Sequence, residues 1–131
     1  MASAATEIDA VAAWIDGRLD LAFDDNIQSD LRRVSLEAQS QMFASPNLVM
    51  PAYAQLLNPL SEALQRGLQH EVFHHIDPVT DAQAIHAVVW AAIERQWTTG
   101  DCDREDVRQR ALRFCLLGLG VTAEAIAHIA L

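Results

Sequence analysis

Residues 78–97, PVTDAQAIHAVVWAAIERQW, and residues 103–118, DREDVRQRALRFCLLG, decide the fold of this chain. Both stretches repeat apolar side chains at helical spacing, and both carry them on two sides of the helix instead of one. One apolar side is enough for the core of a monomer, so the second side needs a further surface to cover it. The pattern therefore predicts two long helices that pack against their own chain and against a partner chain.

Each of these helices has two apolar stripes about a quarter turn apart. In residues 78–97 the first stripe is Ile85, Val88, Val89 and Ala92, and the second is His86, Trp90, Ile93 and Trp97. In residues 103–118 the first stripe is Val107, Ala111, Phe114 and Gly118, and the second, which continues past the stretch, is Leu112, Cys115, Leu116 and Leu119.

Helical periodicity also dominates the rest of the chain, and no alternation long enough for a strand is present. We therefore predict an all-α bundle of five main helices plus a short C-terminal tail. The helices are expected over residues 6–23, 27–43, 46–67, 78–99 and 103–118, and the tail over residues 122–131. The expected N-caps are Thr6, Ser45, Asp77, Asp103 and Thr122. Pro51 and Pro59 predict kinks or a break in the third helix, which would either open a cavity or be a tolerated bend.

The composition describes one folded domain. The chain has 131 residues, of which 51% are hydrophobic and 21% charged, so it can bury a core without disulfides. No apolar run approaches the roughly 20 residues of a membrane helix, and the N-terminus has no secretory pattern. We expect a cytoplasmic protein that does not enter a membrane.

The charge excludes one class of function. All nine basic residues are Arg, and 18 acidic residues bring the net charge to −9. Affinity for nucleic acid comes largely from basic side chains, so these residues should not bind DNA by themselves. The two cysteines have no metal-ligand spacing: Cys115 fits a helix core, and Cys102 lies in a polar connector.

The sequence HEVFH at residues 70–74 is the sharpest catalytic motif. On a helix, His70 and His74 would face one zinc ion with Glu71 beside them as general base, and Glu94 is spaced as a third ligand. However, Gly67 before the motif and Asp77-Pro78 after it predict a connector, in which this geometry is lost. A small zinc hydrolase therefore stands as the alternative function, and we predict no catalytic residue, metal or cofactor.

Several segments in order resemble the C-terminal ligand-binding and dimerisation domain of TetR-family (tetracycline-repressor-like) transcriptional regulators. The resemblance covers residues 6–120. It is carried by Ser45-Pro46-Asn47-Leu48-Val49, Ala52-Tyr53, Pro59-Leu60 through Arg66-Gly67, Val72-Phe73, Asp77-Pro78, and Arg113 through Gly120.

The resemblance implies that the last two long helices form a four-helix interface in a homodimer. For that interface we predict Ile85, Val89, Ala92, Ala111, Phe114 and Gly118. It also implies a pocket for an unidentified small-molecule effector among the first four helices. For an apolar pocket with one or two polar anchors we predict Trp14, Arg18, Met42, Tyr53, Leu57, His86 and Trp90.

The family's N-terminal helix-turn-helix has no counterpart in these residues. DNA binding is therefore expected only through a helix-turn-helix domain of a parent regulator. A third hypothesis, a dimerisation module with no ligand, stays open beside the sensor domain and the zinc hydrolase.

Overall fold

The computed structural model describes residues 3–23 and 46–129, and it confirms the predicted all-α class. The helices are α1 (Ser3–Phe23), α2 (Pro46–Gln69), α3 (Pro78–Thr99), α4 (Arg104–Gly118) and the short α5 (Ala123–Ala127). No strand occurs within these two ranges. The helix expected over residues 27–43 lies outside the described residues.

The four longer helices enclose one hydrophobic core. Helix α1 packs against α2, α3 and α4, while α3 also packs against α2 and α4, and α5 covers part of α4. The largest fully buried side chains include residues of all four longer helices, of the connector between α2 and α3, and of the turn after α4: Val11, Ile15, Leu19, Leu60, Leu64, Phe73, Val89, Ile93, Leu112, Leu116 and Leu119. In the described part of the chain, no helix has both the length and the apolarity to cross a bilayer.

The predicted capping residues of the last three helices are confirmed. The Asp77 carboxylate accepts hydrogen bonds from the Val79 and Thr80 amides, and Asp81 accepts one from the Asp77 amide at 2.8 Å. Asp103 and Thr122 each accept a bond from the backbone amide three residues further on. These bonds satisfy amides that the first helical turn leaves free, so the start of each helix is fixed locally.

The first two helices differ in detail from the prediction. Helix α1 begins at Ser3, so Thr6 lies within it and does not cap it. Helix α2 continues without a break through Pro51 and Pro59 and ends at Gln69, beyond Gly67. Each proline removes one backbone hydrogen bond, but the buried face of Leu57, Leu60 and Leu64 holds α2 against its neighbours.

Two arginines of α4 tie that helix to α1. Arg108 Nε donates to Asp16 Oδ1 at 2.7 Å, and Arg104 Nη2 donates to Asp20 Oδ1 at 2.9 Å. Arg104 also reaches the Asp16 carboxylate at 3.6 Å and its carbonyl at 3.3 Å. The acidic residues on this side of α1 are therefore already paired with α4.

The connector after α2 folds back onto the helix end. The Val72 and Phe73 amides donate to the Gly67 carbonyl at 2.8 and 3.0 Å, and the Phe73 ring is fully buried. A Cβ atom on Gly67 would overlap that ring. Glycine is therefore required here by the close approach of Phe73.

We predict that Gly67→Ala lowers the free energy of unfolding by about 1–3 kcal/mol, because the added methyl group displaces Phe73. Gly17→Ala is the matched control, since Gly17 lies in α1 with open space around it and should gain about 0.5–1 kcal/mol in helix propensity. Urea denaturation of both variants measures the two changes. Equal stability of Gly67→Ala and the wild type would contradict the assigned contact.

Candidate functional site

His86 is buried in the middle of α3 and is surrounded by aromatic rings from three helices. It is 4% exposed. The edge of Trp14 on α1 meets it with ring centres 6.3 Å apart, and Tyr53 on α2 meets it at 5.2 Å. Trp90, one turn along α3, stacks on it at 6.3 Å and 24°. We call Trp14, Tyr53, His86 and Trp90 the aromatic cluster.

The cluster is built from pairs four residues apart, which share one face of a helix. Two such pairs meet at this place, Trp14 with Arg18 on α1 and His86 with Trp90 on α3, and α2 contributes Tyr53. The Trp14 indole donates to the Leu56 carbonyl at 3.2 Å, which fixes its ring against α2. Trp97 extends the cluster, because its ring meets Trp90 edge-on at 5.6 Å.

Three nitrogen atoms in this place are buried without a hydrogen-bond partner in the described structure: Nδ1 and Nε2 of His86, and Nε of Arg18. Leaving one buried polar atom unpaired costs about 1–3 kcal/mol, and native proteins seldom accept that cost without a function. Their concentration beside one group of aromatic rings marks this place as the candidate site.

The protonation of the site follows from burial and one charge. Burial and, as the smaller cause, the positive charge of Arg18 together lower the pKa of His86 from 6.5 to about 4. Burial also lowers the pKa of Arg18 and raises the pKa of the Tyr53 hydroxyl. At neutral pH, His86 is therefore a neutral ring with one N–H donor and one acceptor, and Arg18 remains a cation.

Five of the seven side chains predicted for a pocket come together here. They are Trp14, Arg18, Tyr53, His86 and Trp90. Leu57 is buried one turn beyond Tyr53. Met42 lies outside the described residues. The site thus combines aromatic walls with unused donors and acceptors, which is the composition typical of small-molecule sites.

A second feature lies on the outer side of α3 and α4. A shallow groove between these helices has Ala84, Val88 and Ala91 along α3 and Phe114 along α4, with Gly118 at one end. Phe114 is 66% exposed, and Leu117 beside it is 38% exposed. We call this surface the α3–α4 groove.

The six predicted interface residues differ in how much surface they expose. Ile85, Val89 and Ala111 are almost fully buried within the chain itself, although Ile85 and Ala111 also line the groove. Phe114 and Gly118 are exposed, and Ala92 is half-buried. Because α4 packs directly on α3, the stripe of α3 that faces α4 is buried, and the neighbouring stripe of Ala84, Val88 and Ala91 borders the groove. The contact of these residues with a partner chain stays a prediction.

The HEVFH motif is not on a helix. Helix α2 ends at Gln69, and residues 70–77 form the connector, with left-handed backbone at Glu71 (φ 60°) and His75 (φ 57°). No group of three potential metal ligands occurs among residues 3–23 and 46–129, a range that includes His70, Glu71, His74 and Glu94. The geometry required by the zinc hydrolase alternative is therefore not formed.

Sequence reasoning missed one buried acid. Glu7 is 2% exposed, its Oε1 lies 3.6 Å from His70 Nδ1 and 3.9 Å from Arg66 Nε, and its Oε2 has no partner within the described ranges. Its position next to Ile8 and one turn before Val11 places it at the edge of the buried face. That spacing was the available signal, but an acid near a helix start is usually explained by the helix dipole.

Comparison with known proteins gives no match: neither a family model, nor a curated protein, nor a solved structure is significantly similar to this chain.

We predict that Arg18→Gln raises the pKa of His86 from about 4 toward, but not up to, its ordinary value of 6.5, because the repelling charge is lost while burial remains. NMR titration of the His86 ring measures the change, and Arg113→Gln removes an equal charge from the exposed side of α4 as a control. An unchanged pKa in Arg18→Gln would show that Arg18 does not act on His86.

The same pKa shift predicts how stability depends on pH. The unfolded chain protonates His86 near pH 6.5 and the folded chain only near pH 4, so stability falls as the pH drops through this window. The loss attributable to His86 is on the order of 2 kcal/mol. Urea denaturation at pH 7 and pH 4.5 should show a smaller difference for His86→Gln than for the wild type.

Proposed function

We propose that this chain is the effector-sensing and homodimerising domain of a TetR-like transcriptional regulator, which binds a small, mostly apolar ligand and does not itself bind DNA. One observation carries the proposal. The two sides of α3 face different surroundings: His86 and Trp90 face the aromatic cluster, while Ala84, Val88 and Ala91 line the exposed groove. A single helix thus borders both candidate binding surfaces.

The ligand-binding half of the proposal is supported by the unpartnered nitrogens of His86 and Arg18. A ligand that bonds them would recover the free energy lost by their burial, so these atoms favour the bound state. The rings of Trp14, Tyr53 and Trp90 provide apolar contact area around the same atoms.

The dimer half is supported by the groove. Its middle is apolar around Val88 and Phe114, and its ends carry opposite charges, Asp81 at one and Arg95 at the other. Asp81 and Arg95 lie seven residues before and after Val88. A twofold axis that passes near Val88 would therefore set Asp81 against the partner's Arg95, and each Phe114 side chain would be covered.

Signalling would follow from the shared helix. A ligand among the rings that shifts α3 by even a small amount would change the surface offered to the partner, and thereby the separation of the two attached DNA-binding domains. The net charge of −9 agrees with a chain that binds ligand and partner but not DNA, because its surface repels phosphate. DNA contact would then belong to a separate basic domain. A dimerisation module without a ligand is the alternative, and binding experiments decide between them.

We predict that Phe114→Glu converts the dimer to monomers, because the charge would be buried against a symmetry-related apolar surface. Val79→Glu is the matched control: Val79 is 61% exposed, similar to Phe114, but lies on the side of α3 away from the groove. Sedimentation velocity at micromolar concentration should show dimers for the wild type and Val79→Glu, and at least a tenfold weaker association for Phe114→Glu.

A monomeric wild-type chain at these concentrations would refute the dimer. If Phe114→Glu remained dimeric, the interface would lie elsewhere on the surface.

A further inference from the structure

We propose that the ligand of this site is an organic monocarboxylate with an aromatic or otherwise apolar body, held by its carboxylate between Arg18 and His86. This inference rests on the proposed ligand-binding function and specifies its chemistry. It depends on three observations: a partly buried guanidinium and a buried neutral imidazole whose buried nitrogens have no partner within residues 3–23 and 46–129, and the aromatic rings beside them.

The cation is the first observation. Arg18 Nε is buried, and no carboxylate among residues 3–23 and 46–129 pairs with Arg18. The nearest acids along α1, Asp16 and Asp20, are held by Arg104 and Arg108 of α4. Arg18 is partly buried, so solvent offsets only part of the cost of a charge without a counter-ion, and a neutral ligand would leave the rest. An anionic ligand would remove the imbalance.

The imidazole is the second observation. His86 is more than nine-tenths buried, both its nitrogens are unpartnered, and Arg18 is near enough for its charge to act on the ring. The neutral ring offers one N–H donor. A carboxylate has two oxygens, so one can accept from the guanidinium and the other from His86, and both unsatisfied groups are paired by one ligand group.

The surroundings limit the charge and the body of the ligand. One cation balances one negative charge, and a chain with net charge −9 repels a dianion such as a phosphate monoester more strongly than a monocarboxylate. The adjacent surfaces are the Trp14, Tyr53 and Trp90 rings, which favour an apolar body and gain most from a flat one.

Calorimetric titration with matched acid and amide pairs tests the inference. The probes are 2-naphthoate with 2-naphthamide, and 4-phenylbutyrate with 4-phenylbutyramide, at pH 7. We expect at least one acid to bind at least tenfold more tightly than its amide. Arg18→Gln should abolish this preference, Arg18→Lys should keep part of it, and Arg113→Gln, with the same loss of charge on the exposed side of α4, should leave it unchanged.

A readout on the wild-type chain makes the test independent of variant folding. A bound carboxylate stabilises the imidazolium form, so saturation with the acid should raise the pKa of His86 in an NMR titration, and the amide should not raise it.

The outcomes separate this inference from the proposed function. If acid and amide bind equally, or the amide binds better, the carboxylate inference fails and ligand binding stands. If the acid preference survives Arg18→Gln, or acid binding leaves the His86 pKa unchanged, the anion binds elsewhere and the inference fails. If neither acids nor amides bind, both the inference and the ligand-binding part of the proposed function fail.

Discussion

The packing of α3 between α1, α2 and α4 is the constraint on which the rest of the structure depends. Because α3 has neighbours on three sides, its rotation about its own axis decides which of its residues are buried. Ile85, Val89 and Ile93 fill the core, and His86 and Trp90 are forced into the interior by the same rotation of the helix. Ala84 and Ala91 are exposed and Val88 is half-buried on the side that borders the groove. The polar site and the apolar groove are therefore two results of one helix orientation.

Placing a histidine in such a position is unfavourable for folding alone. An apolar residue of similar size would satisfy the packing among Trp14, Tyr53 and Trp90 without burying two unpaired nitrogens. The neighbouring guanidinium also opposes protonation of the ring, so the buried imidazole is neutral at neutral pH. Native structures keep local destabilisation of this kind mainly where a binding event makes use of it. The same reasoning does not extend to Cys115, whose thiol has its pKa raised to about 12 by burial and is an ordinary core side chain.

Much of the fold could be predicted because its signals are local. Asp77, Asp103 and Thr122 cap helices through bonds that span two or three residues, so neighbouring sequence is sufficient to identify them. Five of the residues predicted for a pocket do lie together, since spacing by four places Trp14 with Arg18 and His86 with Trp90 on one face of their helices, but their role in binding stays a prediction. The element that covers each apolar face could not be predicted in this way, because it depends on residues far away in the sequence. Periodicity shows that Ile85 and Val89 are on an apolar face, but whether α4 or a partner covers that face depends on how helices cross. Glu7 was missed for the same reason, because its burial depends on the end of α2, more than fifty residues away in sequence.

The connector of residues 70–77 has a consequence for how this domain can vary. It is attached at both sides: Phe73 lies against Gly67 at the end of α2, and the His74 amide donates to the Leu119 carbonyl just after α4. On the same side, Gly120 has φ 88°, and a Cβ atom there would come within 3.1 Å of His74. A loop fixed to two helix ends has little freedom in length, although it is largely exposed. We therefore expect related chains to carry insertions in other loops and not in this connector. The length of the connector should then vary less among them than the identity of its histidines.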